Sequence, residues 1–268
     1  MKLYDVRVNK KYNAEQKRDM RSIIKDLSKT AWFVDYDGTL CPHQEVWEER
    51  VYDSQEIFAA VKNLQKKVQG FFWNTGRRTE SLASVNENFK QFPGFFIQGT
   101  VFWNAEEQKD HLLGIPFPQH LSESLQNQME FESQYRLEIK PTGARVASLR
   151  KTQRKNIKKF ADSLQLDLSG GWEWRVGDRG AELLHKDYSK GSALHYAYEK
   201  KMVAEDAVPV AIGDDYFDRA AMEYALQRGG YAILIGEGCG WITEVPHKSS
   251  QVVFFREPKD FLQFIKEL

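Results

Sequence analysis

Little in this chain points to an outside partner. Two cysteines in 268 residues, Cys41 and Cys239, cannot build a disulfide framework. They also lack metal-ligand spacing, so buried or idle thiols in a reducing compartment are expected. An excess of charge of one sign is missing too, since 38 basic residues meet 38 acidic ones. No global field therefore favours nucleic acid or an anionic membrane surface. No apolar run approaches the ~20 residues that span a bilayer. The opening MKLYDVRVNKKYNAEQKRDM is charged and has no apolar signal core, so a cytoplasmic location is expected and a membrane partner is not. The six histidines show no ligand spacing. Neither an internal repeat nor a low-complexity linker divides the chain, so any second domain is inserted or tightly joined.

What is present is ordinary globular composition, 41% hydrophobic and 28% charged, at a length that supports one large domain or two modest ones. Met20, Ile23, Ile24 and Leu27 recur at helical spacing and predict an amphipathic helix over 13–29. Trp32–Val34 then reads as a buried strand. A helix with Ile57, Phe58, Val61 and Leu64 follows, then a strand over Val68–Trp73 and a helix over Thr79–Phe89. This alternation predicts a parallel α/β sheet, in which ligands collect beyond the carboxyl ends of the strands.

The middle of the chain changes character. Strands are expected over Phe95–Trp103, Tyr135–Lys140, Ala144–Arg150, Trp172–Val176 and Ala181–Leu184, with helices over Leu121–Phe131 and Thr152–Leu164. Strands grouped around two helices read as an α+β insert. Alternation returns with a helix over Gly191–Val203, strands over Val208–Ile212 and Tyr231–Ile235, a helix over Phe217–Leu226, and a terminal helix from Pro258.

Four segments carry chemistry. In AWFVDYDGTLCP, Asp35 and Asp37 end an apolar run and converge if the strand persists, because residues i and i+2 share a side. Two such carboxylates repel unless a cation separates them or one is protonated. In Phe71-Phe-Trp-Asn-Thr-Gly-Arg-Arg78, Thr75 stands at a strand end before a helix, where a hydroxyl and outward amides suit a phosphate. Taken alone, Thr75 would do no more than cap that helix. In Asp187-Tyr-Ser-Lys-Gly-Ser192, Ser189 or Ser192 caps the next helix. Lys190 sits at the end where the helix dipole disfavours a cation, so an anion beside it is implied. In Val210-Ala-Ile-Gly-Asp-Asp-Tyr-Phe-Asp218, three acids in five residues exceed what an N-cap needs and imply a cation.

In this order, DYDGT, Thr75, Lys190 and GDDYFD resemble the haloacid dehalogenase superfamily of phosphatases. Within it, HKDYSKGSALHYAY and AIGDDYFDRAAM are most similar to trehalose-6-phosphate phosphatases. The resemblance implies an α/β chain with a Rossmann-like parallel-sheet core formed by residues 1–112 and 185–268, and an inserted α+β cap at residues 113–184. It implies Asp35 as nucleophile and Asp37 as general acid and base. Mg2+ would be held by Asp35, Asp214 and the backbone carbonyl of Asp37, with Asp215 and Asp218 steadying that shell. Thr75 and Lys190 would bind phosphate. Lys140, Arg145, Arg150 and Glu182 of the cap would face the sugar. Two departures from the family are visible: Gln98-Gly99 stands where His-Gly is usual, and Ala147-Ser-Leu-Arg150 where His-Tyr-Arg is.

The expected activity is Mg2+-dependent hydrolysis of a small-molecule sugar phosphate, trehalose 6-phosphate first. The alternatives are sucrose 6-phosphate, a mannosyl- or glucosyl-3-phosphoglycerate, phosphoryl transfer to another acceptor, or a non-catalytic sugar-phosphate-binding protein. A dehalogenase, needing no metal, would leave the acids at 214–218 without a use. Lys151–Lys159 is basic but has Ile157, Phe160 and Leu164 on one side and no aromatic interleaving, so it reads as a solvated helix face and nucleic acid is not expected. Trp172 and Trp174 read as packing residues rather than a sugar platform.

Overall fold

Strand β1 (Thr30–Val34) is buried at every position, as an unalternating apolar run is when both faces of a parallel sheet are covered. The computed structural model describes residues 26–42, 53–149, 156–177, 180–236, 242, 244–245 and 249–268. After β1 come α1 (Ser54–Gln65), β2 (Gly70–Asn74), α2 (Thr79–Ala83), β3 (Gly94–Phe96), β4 (Val101–Asn104) and β5 (Lys109–Leu112). A second group follows: α3 (Gln119–Met129), β6 (Tyr135–Lys140), β7 (Gly143–Ser148), α4 (Ile157–Ser163), β8 (Trp172–Val176) and β9 (Gly180–His185). The chain then completes the first sheet with α5 (Lys190–Glu199), β10 (Val208–Gly213), α6 (Arg219–Gln227), β11 (Tyr231–Ile235), β12 (Val252–Phe255) and α7 (Pro258–Glu267).

The first sheet has eight strands in the order β12-β11-β10-β1-β2-β3-β4-β5. The six strands from β12 to β3 are parallel, and β4 and β5 are antiparallel additions. Val34 of β1 faces Ile212 of β10 on one side and Trp73 of β2 on the other, so these three strands end together. One face packs Trp32 and Trp73 against Ile57 of α1 and Phe261 of α7. The other packs Phe33 and Phe72 with Leu194 of α5 and Met222 of α6. Helix α1 begins at Asp53, whose carboxylate accepts the Gln55 and Glu56 amides, the usual remedy for orphan donors at a helix start.

The second sheet is antiparallel throughout, in the order β6-β7-β9-β8. Ala144, Val146, Ala181 and Leu183 face α3 and α4, meeting Leu121, Leu125, Ile157 and Ala161. Trp172 and Trp174 belong to that packing, with Trp172 edge-on to Phe117 at 5.1 Å between ring centres. On alternate positions, register sets Glu138 opposite Arg145, Arg145 opposite Glu182, and Glu182 opposite Arg175. The two sheets meet where the Thr100 and Thr142 hydroxyls hydrogen-bond at 2.6 Å. Among the described residues, no helix is long and apolar enough to cross a membrane.

Several expected elements are corrected. Phe95–Trp103 is not one strand, because Ile97, Gln98 and Gly99 all take positive φ and turn β3 back into β4. The helix over Thr79–Phe89 stops at Ala83, and Asn86 then caps a separate 3-10 turn over Glu87–Gln91. The helix over Phe217–Leu226 begins instead at Arg219, after a 3-10 turn at Tyr216–Asp218. Of the helix expected over 13–29, residues 13–25 lie outside the described residues, and Leu27–Lys29 form a 3-10 turn. Residues 150–155, at the start of the basic helix, also lie outside them.

Candidate active site

The coinciding ends of β1 and β10 bring distant acids together. Asp35 follows β1 and anchors its amide on the Ile212 carbonyl at 3.1 Å. Past β10, Gly213 leaves room that no other residue would: an added Cβ there would lie 2.0 Å from the Asp218 carboxyl carbon. Asp218 folds back into that space and accepts the Asp214 and Asp215 amides on Oδ2, each at 3.1 Å. Asp215 in turn caps the 3-10 turn that carries Asp218. From the start of α5, Lys190 donates to Asp218 Oδ1 at 2.6 Å and meets Asp35 Oδ1 at 3.1 Å. Ser189 and Ser192 form a capping box around the same turn. Asn74 at the end of β2 fastens it further, its Nδ2 donating to the Lys190 carbonyl at 3.2 Å.

Burial sets the electrostatics. It raises the carboxyl pKa of both Asp35 and Asp218 above the ordinary range, against the opposing pull of Lys190, and Asp218 is lifted to about 6. Burial alone would make Lys190 less basic, but Asp218 and Asp35 outweigh it and hold the ammonium protonated.

The loop after β1 is tight. The Tyr36 carbonyl accepts amides from Thr39, Leu40 and Cys41, with Gly38 at φ 78°. Asp37 points to Arg77, which grips it with Nε on Oδ2 and Nη2 on Oδ1, both at 2.6 Å. The guanidinium also lies over the Tyr36 ring, 5.3 Å from its centre. Thr75 is buried at the end of β2, with its Oγ1 accepting the Arg77 amide at 3.3 Å.

Asp35, Asp214 and Asp218 each offer an oxygen within 4.8 Å of the others. Three carboxylates face one ammonium here and, all ionised, leave two negative charges. An all-oxygen set with that residual charge fits a hard divalent cation such as Mg2+.

The second sheet reaches this edge through Lys140 and Glu182, both buried. Lys140 Nζ donates to the Gly76 carbonyl at 2.9 Å and to Glu182 Oε1 at 3.2 Å. Arg145 Nε is 4.0 Å from Glu182. Burial would raise the Glu182 carboxyl, but Lys140 and Arg145 override it and hold the group below its usual value. Arg78 reaches in the other direction, donating to the Ile139 carbonyl and pairing with Glu138. Arg150 lies outside the described residues.

No protein-family model matches the chain, and no curated protein matches it by sequence. Solved structures do match by shape. The C-terminal domain of C. albicans trehalose-6-phosphate phosphatase aligns with a TM-score of 0.69 at 16% identity, over 94% of each chain. A haloacid dehalogenase-like hydrolase from Bacteroides thetaiotaomicron aligns at 0.65 and 13% identity, covering 89% of this chain and 98% of that one. The chain shares its fold with both of these structures. A sucrose-phosphatase from Synechocystis, solved with sucrose and phosphate, shares it at 0.58 and 14% identity, over 89% of this chain and 97% of that one.

On this fold, three site residues carried no role in the sequence reading. Arg77 was visible only as one of two adjacent arginines. Asn74 had a signal, a polar residue closing the apolar run Phe71–Trp73. Gln98 stood out only where the family usually has histidine.

Proposed function

We propose that the chain is a Mg2+-dependent phosphatase that hydrolyses a sugar phosphate, with trehalose 6-phosphate as the first candidate. The observation that carries this reading is the set of buried Asp35, Asp218 and Lys190 with half-buried Asp214 at one sheet edge. A charged row on a second sheet lies close enough to touch the Gly76 carbonyl beside it.

In this reading Asp35 attacks phosphorus, the ester P–O bond breaks, and an aspartyl-phosphate forms. Asp37 gives a proton to the departing sugar oxygen, then takes one from the water that cleaves the intermediate. The Arg77 guanidinium occupies both Asp37 oxygens, so Asp37 must leave that contact to hand over or take up a proton. Thr75 donates to a phosphate oxygen, and Lys190 offsets the charge between Asp35 and the dianion it attacks. A bound Mg2+, held by Asp35, Asp214 and the backbone carbonyl of Asp37 with Asp218 beside them, would neutralise phosphoryl charge. Asp215 contributes by capping the turn that carries Asp218.

The test is kcat/KM with Mg2+ for trehalose 6-phosphate, sucrose 6-phosphate, glucose 6-phosphate and mannosyl-3-phosphoglycerate beside p-nitrophenyl phosphate. At least one sugar phosphate is expected to exceed p-nitrophenyl phosphate by more than about tenfold, ~1.4 kcal/mol of transition-state binding, and EDTA is expected to abolish turnover. Full activity in EDTA, or no sugar preference, overturns the reading.

A further inference from the structure

Two buried oxygens, one from each sheet, stand beside the phosphate loop without a hydrogen-bond partner. Gln98 lies in the reversal after β3 at φ 58° and is 5% exposed. A left-handed backbone at a non-glycine residue is unfavourable, and here it accompanies a side chain held inside rather than in solvent. An added Cβ at Gly76 would lie 2.7 Å from Gln98 Nε2 and 3.5 Å from Glu182 Oε1, so both side chains flank the glycine that directly follows Thr75. Nitrogen belongs on that side, because the amide oxygen would otherwise face a carboxylate. Gln98 Oε1 and Glu182 Oε2 are then left buried and unpartnered.

Buried acceptors without donors are unfavourable, and natural structures keep few of them. Both belong to side chains that flank Gly76, and a ligand that brings two donors would satisfy them. The Glu182 charge is already balanced by Lys140 at 3.2 Å and Arg145 at 4.0 Å, so a cationic ligand is not required. Neutral hydroxyls match the need.

We infer that Gln98 and Glu182 together accept hydrogen bonds from two hydroxyls of the sugar, in the part nearest the esterified carbon, which makes Gln98 a specificity-determining residue supplied by the first sheet. The ligand class rests on the sugar-phosphate reading above. The residue pair rests on the two open acceptors. A site that hydrogen-bonds a hydroxyl rejects the deoxy analogue strongly, because its own polar groups are then stranded.

The experiment uses the full chain with Asp35→Asn to prevent turnover, and calorimetric titration with glucose 6-phosphate and its 2-, 3- and 4-deoxy analogues. Gln98→Met keeps side-chain length without polar atoms, and Gln98→Asn keeps the amide on a shorter stem. At least one deoxy analogue is expected to bind about tenfold more weakly than glucose 6-phosphate. Gln98→Met is expected to weaken glucose 6-phosphate by a similar factor while leaving that analogue's affinity unchanged, because the bond is already absent. Gln98→Asn should fall between. Equal effects of Gln98→Met on all four ligands, or none, overturn the inference and assign the two acceptors to solvent. Turnover by the unaltered chain is measured in parallel. Coupled binding without turnover refutes the phosphatase and keeps the acceptor pair, whereas turnover without coupling does the reverse. Absence of binding to any of the four overturns the pair.

Discussion

Replacing Lys190 with methionine removes the one ammonium between Asp35 and Asp218 and keeps the length of the side chain. At an effective dielectric constant of about 20, unit charges at 3.1 Å attract by about 5 kcal/mol and at 2.6 Å by about 6 kcal/mol. Desolvation cancels much of that, and deleting one partner of a buried pair costs ~3–5 kcal/mol overall. The carboxylates left behind also repel, by roughly 3 kcal/mol for each ionised pair at 4.8 Å. Lys190→Met is therefore expected to lower the unfolding free energy by ~3–5 kcal/mol at about pH 7 in EDTA. Urea denaturation read by tryptophan fluorescence measures it, since Trp32 and Trp73 are fully buried. Two changes should restore much of the loss. Protonation at about pH 5 discharges carboxyls whose pKa burial has already raised to about 6. Saturating Mg2+ supplies the missing positive charge instead. A loss below ~1 kcal/mol, the size of an exposed pair, refutes the argument. So does a loss that is identical at both pH values and with Mg2+.

Asp35→Asn should lower turnover by several orders of magnitude with an unchanged circular dichroism spectrum; near-full activity excludes the covalent route. The folded state binds protons on Asp35 and Asp218 more tightly than the unfolded chain, between the ordinary 3.8 and about 6, so metal-free stability attributable to them rises as pH falls through that window. The Tm gain from Mg2+ should accordingly be larger at about pH 7 than at about pH 5, and Asp218→Asn should flatten the difference. Glu182 has the opposite sign: its carboxyl is depressed, so its contribution is complete above 4.5 and lost as pH falls below it. Glu182→Gln should weaken that acid dependence in a thermal melt.

The parallel sheet was legible because its strands are unbroken apolar runs, and three of the four functional turns close one of them. Asp35, Thr75 and Asp214 could be placed at strand ends from that pattern alone. The partners of Lys190 could not, since spacing shows a cation in need of an anion but not which acids the fold will bring. Asp218 illustrates the gap: its inward turn depends on Gly213 lacking a side chain. Arg77 and Arg78 are adjacent yet diverge, one to Asp37 and the other to the second sheet. The reversal at Ile97 and Gln98 was hidden because neither residue type favours positive φ. Strand β5 was hidden for another reason: its residues Lys109, Asp110 and His111 are polar and line an exposed edge.

Strand β1 lies between β2 and β10, pairing Thr30 with Val208. During synthesis the strand that leads to Asp35 therefore emerges with one neighbour close behind it, and its other edge stays open until the second sheet has been made. At ~5–20 residues per second, the wait from Val34 to Val208 is roughly 10–35 s. Through that interval Phe33 lacks the α5 and α6 side of its core, Trp32 lacks the α7 part of its own, and Asp35 lacks Lys190. The order of translation thus exposes an apolar strand edge before it can be sealed. The last third of the chain both closes the sheet and supplies Lys190 to Asp35.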